Sequence, residues 1–277
     1  MKKVSISIPV FNGEKTIKEV IDSINSQSIK FDEVILINDC STDNTMKIVD
    51  SFPEIKKINN NENKGLSYCR NLGIKSSRNQ IVAGIDADVV LDKYWLENII
   101  ENLKDDTVMC GGNLIEKYID NKYNKWRSIY YKQNWGLNDL PNPPFLFGCN
   151  TIQKKSTWEA LNGYDENFRS NGEDVDYSKR LTNIKNYKLF YSHKAKCYHL
   201  QNDDLDSLSN RVWRYHSYGY KIKKPSFYRF LKLTIKQFKF FFQRLMKDFL
   251  DLNFLLINLI VLINFIKLEF KRFLKGV

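Results

Sequence analysis

An α/β fold on a mainly parallel sheet, with helices on both faces and a basic helical tail, is predicted by three features of this 277-residue sequence. Short apolar, β-branched runs alternate four times with helix-period segments over about the first 90 residues. Strands that recur with helices between them run parallel and are covered on both faces. Polar clusters follow the apolar runs at Phe11-Asn12, Asn38-Asp39 and Asp86-Ala87-Asp88, and the carboxyl ends of parallel strands are where such sheets bind ligands. The third feature is charge. Residues 221–277 hold 13 of the 43 Lys/Arg and three of the 32 Asp/Glu, a net +10, which leaves +1 for the other 220 residues. The expected organisation is a domain over 1–220, divided near residue 92, and a tail over 221–277.

Val4–Val10 (VSISIPV) reads as the first strand, because β-branched apolar residues pack well on a pleated surface. The same residues make MKKVSISIPVFNG a strand and not a signal peptide, since no long apolar stretch follows the lysines. After the Asn12-Gly13 turn, Ile17, Val20, Ile21 and Ile24 recur at helical spacing. Residues 34–37 form a second strand, and Ser41 or Thr42 is placed to cap a helix through Met46, Ile48 and Val49. A third strand falls near residues 55–58. Gly65 opens a helix carrying Leu66, Cys69, Leu72 and Ile74, and Ile81–Ile85 is the fourth strand. Beyond it the pattern is less regular. A helix near 95–103, strands over 108–115 and 145–152, a helix over 175–181 and a strand from 187–191 onward are expected. Between them lies an aromatic, polar stretch with Tyr118, Tyr123, Trp126, Tyr130, Tyr131 and Trp135, which carries no assigned element.

Composition excludes several classes. Apolar residues make up 43%, enough for a buried core and too many for a disordered chain. The five cysteines are Cys40, Cys69, Cys110, Cys149 and Cys197; their number is odd and no CxxC pair occurs, so neither a zinc site nor a disulfide framework is expected and a reducing compartment fits. The chain lacks GxGxxG and GxxxxGK[ST], which argues against a dehydrogenase and a P-loop NTPase.

Asp86-Ala87-Asp88 is the sharpest local feature. Two carboxylates one residue apart after a buried strand suit Mg²⁺ or Mn²⁺, which take oxygen ligands and bridge diphosphates; a solvated acidic loop is the plainer alternative. Asp39 at the end of the second strand can accept the imide N–H of a pyrimidine base or cap the next helix, although Asp43 is better placed for capping. Arg70, on the helix opened by Gly65, can pair with phosphate or sit on the surface. Glu173-Asp174 opens a helix, where the dipole favours acids, and offers a general base. His199 is one of three histidines and reads either as an interior histidine or as a contact for metal or diphosphate.

Six stretches in order, SISIPVFNGEKTI, VILINDCSTDNT, NKGLSYCRNLGI, GIDADVVLDKYWL, GCNTIQKKSTWEALNGYDENF and GEDVDYSKRL, resemble glycosyltransferase family 2 over about residues 4–183. The resemblance implies the GT-A fold, with residues 1–92 as the nucleotide-binding half and 93–220 as the acceptor-side half. It implies an inverting transfer from a nucleotide diphosphate-sugar, with UDP first in expectation, to a glycan or lipid-linked hydroxyl. By the same resemblance Pro9, Val10 and Phe11 line the base pocket, Asp39 reads the base, and Asn63 and Arg70 lie beside it. Asp86 contacts ribose or metal, Asp88 binds Mn²⁺ or Mg²⁺, His199 assists it, Asp174 is the catalytic base and Glu173 places the acceptor. This sequence departs from the pattern in having Asn38 for the first of two aspartates and Cys40 for a glycine, which implies altered loop geometry.

The tail mixes Phe, Leu and Ile with Lys and Arg over 226–250, which suits a basic amphipathic helix on anionic lipid. Residues 252–266 are uncharged but short of the roughly 20 needed to span a bilayer. A monotopic or re-entrant anchor at the cytoplasmic membrane face is expected, with a helical hairpin packed on a second copy of the chain as the alternative. The tail is too apolar for a nucleic-acid patch, so no nucleic acid partner is expected. A non-catalytic nucleotide-sugar-binding or membrane scaffold protein with the same fold is the competing reading for the whole chain.

Overall fold

The computed structural model describes residues 2–168, 170–217 and 226–275. They gather into two compact units, one within Met1–Lys117, Gln133–Arg169 and Glu173–Leu200, the other within Tyr118–Lys132, Ser170–Gly172 and Gln201–Val277. The boundary expected at residue 220, and the basic residues Lys221, Lys223 and Lys224, lie outside the described residues. This grouping places residues 201–217 and 118–132 with the tail. Charge, on which the sequence division rested, does not report which element an apolar helix face packs against.

The first unit is built on one sheet. Its strands are β1 (Val4–Val10), β2 (Glu33–Asn38), β3 (Lys56–Asn59), β4 (Ile81–Ile85), β5 (Val89–Leu91), β6 (Thr107–Glu116), β7 (Leu140–Pro141), β8 (Asn150–Lys154) and β9 (Lys188–His199). The order is β3-β2-β1-β4-β8-β6-β9-β5, with β7 on β9. The four strands β3, β2, β1 and β4 are parallel; β8 runs against both β4 and β6, so the sheet is mixed from there on.

Helices cover both faces. Val4, Ile6, Ile8 and Val10 point to the same side as Leu36, Ala83 and Ile85. There they bury Ile17, Val20, Ile21 and Ile24 of α1 (Ile17–Asn25) and Trp95, Leu96 and Ile99 of α4 (Trp95–Ile100). Each such side chain taken fully from water contributes about 1.5–3 kcal/mol. On the opposite side Ile35 and Ile37 meet Cys69 of α3 (Leu66–Ser76), while Val82 packs with Ile74 of α3 and Tyr177 and Leu181 of α7 (Glu173–Thr182). Alternation along each strand thus serves two cores at once.

Four local expectations are corrected. The short α2 (Thr45–Val49) is not capped by Ser41 or Thr42; Asp43 Oδ1 accepts the Thr45 N–H at 3.0 Å. The 95–103 helix ends at Ile100, with Leu103 still buried. Of the 145–152 segment only the part from Asn150 is strand, because the preceding backbone turns into the candidate site: Gly148 N–H donates to Asp174 and the Cys149 carbonyl accepts from Asp86 N–H. The aromatic stretch contains α5 (Lys122–Tyr130), started by Asn121, whose side chain accepts the Tyr123 N–H. Tyr123, Trp126 and Tyr130 share one face of it at helical spacing. The remaining helix of the first unit is α6 (Lys155–Ala160).

The second unit is helical: α5, α8 (Leu205–Ser217), α9 (Phe227–Lys247) and α10 (Leu252–Lys275). Its core joins Trp126, Leu208, Val212, Phe254, Ile257 and Val261. The apolar stretch expected to stop at residue 266 continues as helix to Lys275, since Glu269 and Arg272 are buried within the unit, Glu269 accepting from Trp213 Nε1 and Ser217 Oγ. By length and composition α10 is the one helix among the described residues able to cross a membrane, with 39% of its apolar window buried.

Candidate active site

The carboxyl ends of β1, β2 and β4 lie side by side, so the polar segments that follow them converge. Val10 pairs with Asn38 in the ladder, and Asp39 N–H donates to the Val10 carbonyl at 2.8 Å. Asp39 is buried and both its oxygens are engaged. Oδ1 accepts from Asn60 Nδ2 and Lys64 N–H at 2.8 Å each, and Oδ2 accepts from Gly65 N–H at 2.9 Å. The carboxylate therefore fixes the 60–65 loop and the positive-φ Gly65 that starts α3. Three donors thus hold the carboxylate and shape this corner. Asn63 reaches the Asp39 carbonyl at 3.4 Å.

The two departures from the family pattern have structural answers. Asn38 Nδ2 donates to Asn59 Oδ1 at 2.9 Å while its Oδ1 accepts the Ser41 N–H at 3.0 Å, a donor-and-acceptor pair that an ionised aspartate cannot supply. Cys40 adopts φ +64°, the left-handed conformation for which glycine is suited. A non-glycine residue holds that conformation at a local strain of about 1–2 kcal/mol.

Of the three residues expected to line a base pocket, Phe11 is exposed. Val10 is corrected: its side chain belongs to the apolar core at 2% exposure, because even-numbered β1 residues face α1. Pro9 is buried on the other side of the strand, beside a small cavity of about 10 Å³ bordered by Arg70, Tyr164 and Gln153.

Arg70 is the centre of the site. It is not a surface arginine, and its guanidinium is not presented to phosphate, because two carboxylates hold it. Nη2 donates to Asp86 Oδ1 at 2.8 Å and Nη1 donates to Glu173 Oε1. Burial opposes its charge, yet Asp86 and Glu173 more than compensate and hold it firmly protonated. Gly148 makes room for it: a Cβ there would come within 2.2 Å of Nη1. Glu173 is itself buried, with Oε2 lacking a hydrogen-bond partner, and burial raises its pKa to about 7 against the pull of Arg70. The carboxylate is thus closed behind Arg70, where it supports its neighbours. Asp174, next along α7, is partly exposed; it accepts the Gly148 N–H at 3.0 Å. Burial raises its pKa, with Arg70 opposing.

A second group forms where β5 and β6 flank the end of β9. The ladder pairs His199 with Val89 on one side and with Glu116 on the other. Asp88, immediately before Val89, thereby comes to 3.3 Å from His199 Nε2, and Glu116 lies 3.1 Å from Nδ1. Burial lowers the imidazole's proton affinity, but Asp88 and Glu116 outweigh it and raise the pKa to about 9. Glu116, Gly148 and Asn60 are the site residues that sequence reading missed. Glu116 follows from strand register, which no local signal encodes.

These groups bear on a metal. Among the described residues no three His, Cys, Asp or Glu side chains converge as a metal cluster, and Asp86, expected as a ligand, is tied to Arg70. Asp88 and His199 remain. One oxygen and one nitrogen donor, the histidine oriented through its other nitrogen by Glu116, suit Mn²⁺ or Mg²⁺ when diphosphate oxygens and water complete the shell.

Comparison with known proteins agrees with this geometry. Residues 5–161 match the profile of Glycosyl transferase family 2. The Staphylococcus epidermidis poly-beta-1,6-N-acetyl-D-glucosamine synthase is 26% identical over 243 residues, 83% of this chain and 57% of that protein. The chain thus spans little more than half the length of that relative. The Haloferax volcanii glucosyl-dolichyl phosphate glucuronosyltransferase is 23% identical over 223 residues, 68% of this chain and 70% of that protein. Among solved structures, a Pyrobaculum calidifontis mannosyltransferase in complex with GDP-Man and Mn2+ superposes with TM-score 0.61 at 18% identity, covering 83% of this chain and 63% of that one. S. aureus TarS 1-349 superposes with TM-score 0.58 at 20% identity, covering 76% of this chain and 64% of that one. The sheet and its strand-end carboxylates define a GT-A protein. The chain belongs to glycosyltransferase family 2.

Proposed function

We propose that this protein transfers a sugar from a nucleotide diphosphate-sugar, UDP-linked in the first instance, to a hydroxyl of a glycan or lipid-linked acceptor, with inversion at the anomeric carbon. The observation that carries the reading is the pairing of Asp88 with His199 at the strand ends together with Asp174, held by the N–H of Gly148, which itself lies against Arg70. Asp88 and His199 would hold a divalent cation, which when bound neutralises charge on the leaving diphosphate. Asp174 takes the proton from the acceptor hydroxyl as it attacks. Arg70 and Glu173 set the position and field at Asp174. Asp39 orders the 60–65 loop where the donor's base is placed, with Phe11 and Asn63 at its rim. With Asp174 as the base and the neighbouring carboxylates of Asp86 and Glu173 held by Arg70, the reading is one displacement, hence inversion.

The direct test is a panel of nucleotide-sugars with Mn²⁺, followed by release of nucleotide diphosphate and the anomeric configuration of product. In the same preparation Asp88→Asn is expected to remove metal-dependent donor binding in calorimetry while the melting transition persists. Unchanged donor affinity in Mn²⁺ would overturn the metal assignment.

The domain roles follow: the nucleotide-binding half over about 1–92, the acceptor side beyond it, and the tail as a peripheral attachment to the cytoplasmic face of an anionic membrane. Leu231, Ile235, Phe238, Phe242 and Met246 are exposed along one stripe of α9, flanked by exposed Lys232 and Lys239. An apolar stripe edged with lysine matches an interfacial helix. Deleting the tail would also remove the buried α10 residues, so the informative variant is Ile235→Glu/Phe242→Glu in the full chain. It is expected to cosediment with phosphatidylglycerol vesicles about tenfold less than the parent. Equal cosedimentation would mean that this stripe serves another contact.

A further inference from the structure

Within the helical unit Arg244 lies among four aromatic rings. Its guanidinium carbon is 4.8 Å from the Trp126 ring centre, 5.2 Å from Tyr130, 5.4 Å from Tyr131 and 5.8 Å from Phe240. It is 9% exposed and donates one hydrogen bond, to Tyr131 Oη at 2.9 Å; among the described residues no carboxylate pairs with it. The neighbouring acids are committed elsewhere. Asp248 accepts from Tyr130 Oη and from Asn258 Nδ2, and Asp251 accepts the Phe254 N–H at the start of α10. A buried cation without a counter-ion is costly unless an anion completes it. Beside it opens a cavity of about 310 Å³, bordered by Tyr130, Tyr131, His216, Phe240, Gln243 and Lys247 in addition to Arg244. Its border thus carries two fixed positive charges and no carboxylate. Lys247 stands one turn beyond Arg244, over the Tyr130 ring, and is exposed. Lys236 lies over Phe240.

We propose that this cavity is a phosphate-binding site, in which the Arg244 fork and Lys247 share the oxygens of a phosphate monoester or diester while Tyr130 and Phe240 flank its organic part. A guanidinium fork and an ammonium converging on one space suit a tetrahedral oxyanion, and the volume admits the anion with part of its ester. The field in the cavity is already visible at His216. Burial, with Lys236 and Arg244 facing it, lowers its pKa to about 4, so the ring is neutral and hydrogen-bonded to Tyr131 at 3.0 Å. The site shares no residue with the strand-end carboxylates and does not depend on the transfer reaction.

His216 reports occupancy. A bound anion cancels part of the positive field, so its pKa moves up from about 4 toward the ordinary value. The full-length protein, histidine-labelled and kept in EDTA so that no metal links phosphate to Asp88, is titrated with inorganic phosphate, with glycerol 3-phosphate and with phosphatidylglycerol bicelles at constant ionic strength. A saturable change at His216, without change at His193 or His199, is expected. Response to the soluble esters identifies a free phosphate ligand; response to the bicelles alone identifies a lipid headgroup. Arg244→Gln is expected to weaken binding by about tenfold or more and Lys247→Gln by about threefold. Lys247 is exposed, so its variant decides the matter if Arg244→Gln disturbs the aromatic cluster. The proposal is overturned if none of the three moves His216, if chloride does so equally, or if Lys247→Gln binds as the parent does.

Discussion

Asp174→Asn is expected to lower turnover by about 10²–10⁴-fold, the usual contribution of a general base, with donor affinity nearly unchanged. The amide keeps the side chain's size, and its oxygen can still accept the Gly148 N–H, but it cannot take the acceptor's proton. The pH profile of the parent enzyme carries a second signature. Burial raises the pKa of Asp174, and a base works only when ionised. The acid limb of kcat/KM should therefore lie above the range of a free aspartate and descend as pH falls through the raised value. Glu173, with its own pKa near 7, sits beside it, so the limb reports the two carboxyls together. Near-normal turnover by Asp174→Asn, or a product that retains the donor's configuration, would overturn both the base and the single displacement.

Arg70→Gln is expected to be the most destabilising single change in the site, costing about 3–5 kcal/mol, because it removes one partner from a buried ionic cluster. Asp86 and Glu173 would lose their shared cation, and Glu173 already has one oxygen without a partner. The sign of the pH dependence follows. In the variant Glu173, whose folded-state pKa burial already raises, loses the cation that opposed that rise, so the native state holds the extra proton and the penalty is felt as pH rises through the raised value. Denaturant unfolding should show the loss at pH 8 and a smaller one near pH 5. Adding Glu173→Gln should recover part of it, since the two residues share one interaction. A loss below 1 kcal/mol at pH 8 would mean that the cluster is not what holds α3, β4 and α7 together.

Much of the first unit was readable from local pattern. The β1 sequence VSISIPV has apolar residues on one side and small serines on the other, and the structure uses both, with the serines over α3, where Gly73 leaves space for Ser7. Gly65, read as the start of a helix, takes positive φ immediately before α3. The missed α5 had its signal, an asparagine cap and aromatics at helical spacing, hidden in a composition that resembles loop. The misplaced start of β8 had none, because residues 145–149 have strand-like composition and are turned by hydrogen bonds to Asp86 and Asp174.

What the sequence alone determined is the family, the parallel run of the first strands implied by the alternation, and the set of ionisable residues at strand ends. These depend on short-range periodicity and on residue identity. What only the tertiary structure decided is which of those residues face one another. Arg70 looked like a phosphate ligand and became the buried partner of Asp86 and Glu173. Asp86 came to pair with Arg70, and Glu116 joined His199 through the β6–β9 register. Arg244, unremarkable in a basic tail, acquired three aromatic neighbours from the 126–131 segment beside Phe240 of its own helix. Each outcome rests on contacts between residues from 16 to 118 positions apart, and a pairing at such separations is set by the packing of whole elements, for which a local window of sequence holds no record.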